Sequence, residues 1–131
     1  MAERQTVGAI SPFFIVSDVS RAIRFYREQL GFELRFSEPA ERPFFAIVGR
    51  DSSQIFLKSV SEAIAAQPNH TRHEWVPWDA FVYVEAPDSF AAEFASRGLT
   101  LFKEIVNRED GLRGFEVSDP DGYVLFFGRP N

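Results

Sequence analysis

The sequence predicts an α+β fold made of two tandem βαβββ modules. Three observations predict it. Two stretches carry an apolar stripe at helical spacing, and each is closed by a glycine, Gly31 in the first half and Gly98 in the second. Each is preceded by one run rich in β-branched and aromatic residues and followed by three more. The two halves also align: Phe13, Ile15 and Val16 match Phe81, Tyr83 and Val84 at one offset. Ile55-Phe56-Leu57 matches Leu125-Phe126-Phe127, which gives a repeat of about 67–70 residues.

In the first module, residues 9–59, Ala9 to Val16 reads as a strand, with Pro12 marking an edge or a strand beginning. Asp18 or Ser20 supplies the N-cap of a helix whose buried stripe is Val19, Ala22, Ile23, Tyr26 and Leu30. Phe32 to Glu38, Phe44 to Gly49 and Gln54 to Ser59 read as strands, separated by breaks at Pro39, Pro43, Gly49 and Asp51. Residues 60–78 lack a clear period and read as a connection. The second module, residues 79–128, repeats the order: a strand from Asp79 to Glu85, a helix from Asp88 to Arg97, and strands over Leu101–Val106, Leu112–Ser118 and Tyr123–Phe127. Asp110-Gly111 and Asp119-Pro120-Asp121-Gly122 are the turns, and Gly128 to Asn131 reads as a terminal loop.

Composition excludes several functions. The chain has 131 residues, enough for one self-supporting core, and 45% of them are hydrophobic. The net charge of -5 argues against nucleic-acid binding, which needs a basic face. The absence of cysteine excludes thiol nucleophiles and Cys-ligated zinc or iron–sulfur sites. No apolar run approaches the roughly 20 residues of a membrane helix, and the polar start lacks the apolar stretch of a secretory signal, so a cytoplasmic protein is expected. The unusual feature is the count of 15 Phe: most are expected in a Phe-rich core, and so many large apolar side chains also suit the lining of a cavity.

Val16-Ser17-Asp18-Val19 through Phe25-Tyr26, Leu30-Gly31-Phe32, and Asp119-Pro120-Asp121-Gly122-Tyr123 resemble the signatures of the vicinal oxygen chelate superfamily. This superfamily includes glyoxalase I, extradiol dioxygenases and bleomycin resistance proteins. The resemblance covers about Ile10 to Arg129. It implies sheets curled around a cleft, and assembly as a homodimer. In the metal enzymes of the superfamily, His or Glu ligands stand on the first and last strands of each module. Carried over, those places fall on Ser11, Asp79 (less surely Trp78), Phe56 and Phe126. One Ser, one Asp and two Phe do not make a divalent-metal site. The expectation is therefore that no metal and no other cofactor is held between the modules, as in the bleomycin resistance branch.

Strand alternation places Ser11, Phe13 and Ile15 on the cleft face, with Asp79, Phe81 and Tyr83, and Gln54, Phe56, Lys58, Val124 and Phe126 beside them. Trp75 and Trp78 either close the mouth of the cleft as stacking surfaces or pack under the connection or a subunit contact. Asp79 and Glu116 either meet a cationic ligand or form salt bridges with Arg113, Lys58 or Arg35. His70 and His73, the only histidines, read either as solvated loop residues or as an i, i+3 metal pair. The expected function is metal-free binding or sequestration of a small aromatic or cationic molecule. The alternative is a lyase, isomerase or dioxygenase of the glyoxalase type.

Overall fold

The computed structural model describes residues 4–131. The first module contains β1 (Phe13–Ile15), α1 (Val19–Leu30), β2 (Glu33–Glu38), β3 (Phe45–Arg50) and β4 (Ser53–Lys58). A short α2 (Asn69–Arg72) lies in the connection. The second module contains β5 (Ala80–Tyr83), α3 (Pro87–Ser96), β6 (Lys103–Asn107), β7 (Leu112–Ser118) and β8 (Val124–Pro130). The strands form two open four-stranded sheets, ordered β1-β4-β3-β2 and β5-β8-β7-β6. In each, the first strand runs parallel to the last, and the other pairs are antiparallel. This is the predicted α+β repeat.

The local chemistry explains the boundaries. Asp18 caps α1 by accepting from the Arg21 amide at 3.1 Å, and Gly31 ends the helix in the left-handed region at φ 69. The expected stripe of α1, Val19 to Leu30, is buried. Most element boundaries lie within one or two residues of the sequence reading, and three differences are larger. β1 is confined to three residues because Pro12 has no N–H to give; its carbonyl instead accepts from the Phe56 amide at 2.9 Å. The expected loop from Gly128 onwards is strand, because β7 supplies partners as far as Pro130. α2 was not expected. Its first amide donates to Asp79 Oδ1 at 2.8 Å, so a partner ten residues away holds the turn.

One continuous core joins the modules. Phe14, Val16, Ala46, Val48, Ile55 and Leu57 of the first sheet pack under α1. Phe115, Val117, Leu125 and Phe127 of the second pack under α3. Each large side chain fully buried in this way stabilises by about 1.5–3 kcal/mol.

The modules meet at two seams. At the first, the Asp119–Tyr123 turn clasps the junction of β1 and α1. The Ser17 amide donates to Asp121 Oδ1 at 2.9 Å, the Tyr26 hydroxyl donates to Asp119 Oδ2 at 2.8 Å, and the Tyr123 hydroxyl donates to the Ile15 carbonyl at 2.6 Å. The Tyr123 ring stacks on Phe14 with centroids 4.2 Å apart. At the second seam, Arg50 reaches α3 and forms a two-pronged pair with Glu93 at 2.7 and 2.8 Å.

Candidate functional site

Alternation along β1 and β5 sorts side chains as the sequence predicts. Phe14 and Val16 are buried against the core, whereas Phe13 is 58% exposed. Val84 is buried, whereas Phe81 and Tyr83 are 46% and 53% exposed. The sheet faces turned away from the helices therefore carry aromatic rings. On the first face, Phe13, Phe45 and Phe56 lie with centroids 5.7–6.1 Å apart, and Phe36 approaches Phe45 at 6.0 Å. Lys58 places its ammonium 4.7 Å from the Phe44 ring centroid.

The second face is built differently. Phe126 is 1% exposed, yet it lies outside the core beneath α3. It is buried because Trp78 stacks on it at 4.1 Å, with Phe81 5.4 Å away on the same ladder of rings. Gly114 and Gly128 make this possible: a Cβ at either would come within 2.5 Å of the Phe126 ring. Arg108 lies with its guanidinium carbon 4.9 Å from the Trp78 ring centroid and 5.6 Å from that of Phe126. It also pairs with Asp110 at 2.9 Å. The buried Glu116 carboxylate accepts from Trp78 Nε1 at 3.1 Å and stands 4.0 Å from Arg108. A groove of about 520 Å³ lies along this face, lined by Phe126, Glu116, Arg108, Phe102 and His70.

The remaining sequence candidates divide. Phe13 and Asp79 line a second hollow of about 540 Å³ with Asn69, Arg72 and Tyr123. Both Asp79 oxygens are occupied there, by the amides of Asn69 and Val124 at 2.8 Å each. Asp79 thus fastens α2 to the start of β8 without a basic partner. Ser11 is half-buried ahead of β1. Trp75 is 82% exposed and meets His73 edge-on at 5.1 Å. The two histidines serve separate bonds. His70 Nε2 donates to the Gly122 carbonyl at 2.8 Å, and His73 Nδ1 accepts from the Trp75 amide at 3.1 Å.

The places that hold metal ligands elsewhere do not fit a metal here. Phe126 is packed under an indole, Phe56 has no donor atom, and Asp79 is engaged with backbone. Among the described residues, no three His, Cys, Asp or Glu side chains converge as an ion site. Sequence reasoning missed Arg108, Phe36 and Phe45. Alternation across β3, where Ala46 and Val48 are buried, would have found Phe45; nothing in the sequence marks Arg108.

Several solved structures share this fold. TnmS3, an antibiotic-binding protein from Streptomyces sp. CB03234, superposes with a TM-score of 0.70 at 21% identity, covering 98% of this chain and 100% of that one. The bleomycin-binding protein of Streptomyces verticillus, complexed with copper(II)-bleomycin, gives 0.69 at 23% identity over 98% and 100%. A lactoylglutathione lyase from Agrobacterium tumefaciens gives 0.65 at 20% identity over 95% of each chain. No curated protein sequence matches. The family model for Glyoxalase/Bleomycin resistance protein/Dioxygenase matches residues 7–127, which takes in both modules and both seams. With the doubled βαβββ unit and its strand order, that match makes the chain a member of the Glyoxalase/Bleomycin resistance protein/Dioxygenase superfamily.

Proposed function

We propose that the chain binds a small planar aromatic molecule on its ring-lined sheet faces, without a metal. One observation carries this reading. Aromatic rings stand on both faces at Phe13, Phe56, Phe81 and Phe126, and Phe13 and Phe81 present open surface. Stacking rather than charge supplies the affinity. Glu116 is held by Trp78 and Arg108, and Asp79 by two amides, so neither is a free anion for a cationic ligand. An offset aromatic pair contributes about 0.5–1.5 kcal/mol beyond its buried area, and Arg108 adds a cation over the ring ladder. TnmS3 and the bleomycin-binding protein, both binders of antibiotics by their names, are consistent with such a use of the fold. The lyase, at 20% identity, shares the fold alone.

The second part of the proposal is assembly. Phe13, Phe36, Phe81 and Tyr83 remain open to solvent in a single chain, and a second copy related by a twofold axis would close a cleft over them. The test is a thermal-shift panel of polycyclic antibiotics and aromatic metabolites, followed by calorimetry on each hit. A hit should lose at least tenfold in affinity in Phe81→Ala and should be indifferent to added Zn²⁺, Ni²⁺, Mn²⁺ or Fe²⁺. Tight stoichiometric uptake of any of these ions, abolished by Asp79→Asn, would overturn the reading.

A further inference from the structure

The second seam holds a cavity that the first seam fills with its own side chain. Strand register relates the modules position by position. Phe56 pairs with Phe13 and Ile47, and Phe126 pairs with Phe81 and Glu116. Arg50, which pairs with Ser53, therefore corresponds to Asp119, whose amide bonds the Tyr123 carbonyl. Ser53 corresponds to Tyr123, Val82 to Phe14 and Tyr83 to Ile15. The eighth residue of α1 is Tyr26, and the eighth of α3 is Phe94.

At the first seam the Tyr123 ring lies on Phe14 and its hydroxyl donates to the Ile15 carbonyl. At the second, Ser53 offers no ring and Val82 offers no stacking face. A space of about 250 Å³ remains between the β3–β4 turn, β5 and α3. Its apolar wall comes from Phe32, Val82, Phe90, Phe94 and Phe127, and its rim from Ser52, Ser53 and Glu85. An apolar cavity of roughly 150 Å³ is enough to hold benzene. The rim also selects by charge. Arg50 is committed to Glu93 and to the Leu30 carbonyl at 2.9 Å, and Arg129 is paired with Glu85 at 3.0 Å, so neither is available to an anion, and Asp51 repels one.

We infer that this cavity is a binding site for a para-substituted phenol without negative charge, whose ring takes the place Tyr123 takes at the other seam. The phenol hydroxyl donates to the Tyr83 carbonyl, as Tyr123 does to that of Ile15. The site lies on the helix side of the sheets, apart from the ring-lined faces, so its success or failure leaves the proposed function untouched.

The experiment titrates p-cresol, tyramine and 4-hydroxybenzoate into ¹⁵N-labelled protein and follows the amide shifts. p-Cresol and tyramine should saturate, with shifts at Ser52, Ser53 and Val82 to Glu85, and 4-hydroxybenzoate should bind at least tenfold more weakly. Ser53→Tyr, which supplies the missing ring internally, should abolish binding and raise the melting temperature by a few degrees. Val82→Phe narrows the cavity from the opposite wall and should weaken binding at least tenfold, so a folding failure of Ser53→Tyr leaves the inference testable. Undiminished binding in the folded variants, equal binding of 4-hydroxybenzoate, shifts confined to residues around Trp78 and Phe126, or no saturable shift would each overturn it.

Discussion

Asp119 shows how one buried carboxylate ties the two modules together. Its Oδ1 accepts from the amides of Asp121 and Tyr123 at 2.9 and 3.0 Å, and its Oδ2 accepts from Tyr26. Burial nevertheless dominates those favourable bonds and pushes its pKa up to about 6, and burial beside Asp119 holds the Tyr26 hydroxyl well above its ordinary range. The native state thus holds this proton more tightly than the unfolded chain does. Stability from this group is full below about pH 4 and is lost as pH rises through 6. A shift of about two units corresponds to roughly 3 kcal/mol. Asp119→Asn should therefore flatten the fall in denaturation midpoint between pH 4 and 6, measured by urea titration at a series of pH values. Glu93 works in the opposite sense: hydrogen bonding to Arg50 holds it at about 2, so its contribution is present above pH 4.5 and lost as pH falls towards 2. Tyr26→Phe should cost about 1–3 kcal/mol, because Asp119 then loses its hydroxyl donor inside the core.

Elements of this fold differ in how openly the sequence declares them. α1 is legible in its stripe, which has a clean period, and in its end at Gly31, while its start stands open between Asp18 and Ser20 until the structure shows Asp18 as the cap. β7 was equally plain between Gly111 and Asp119. β2 hid the facing of Phe36, because a bulge between Leu34 and Phe36 breaks the two-residue alternation on which facing is read. α2 was hidden because its stabilising partner, Asp79, belongs to another element. In the candidate site, the rings of β1, β4, β5 and β8 were legible from alternation. Arg108 was not, since it sits at a strand end and its position over Trp78 depends on how the β6–β7 hairpin closes. The same hairpin and β8 make a prediction about glycine. A methyl group on Gly128 would fall 2.4 Å from the Phe126 ring and 2.5 Å from the Arg113 carbonyl, so the ring must leave its place. Gly128→Ala should destabilise by about 1–3 kcal/mol and shift Trp78 fluorescence as the stacked pair opens, measured by thermal melts read at the indole.

At the scale of the whole molecule, one helix per sheet leaves each sheet half-covered. Light scattering at micromolar concentration should give twice the 14.9 kDa mass of the chain, and Phe13→Glu with Phe81→Glu should return it to a monomer that stays folded. No helix among the described residues is long and apolar enough to cross a membrane. The first seam adds a constraint of another kind, in time. Three of its hydrogen bonds join residues 93, 104 and 108 positions apart. Synthesis delivers β1 and α1 first, and at about 5–20 residues per second the clasping turn emerges roughly 5–20 s later. Throughout that interval the nascent chain carries Phe14 without its stacking partner and the Tyr26 hydroxyl without its acceptor. Contacts so distant in sequence also slow folding once the chain is complete. A message truncated before the codon for Asp119 therefore yields a polypeptide that exposes its would-be interior, a client for chaperones and proteases rather than a working half.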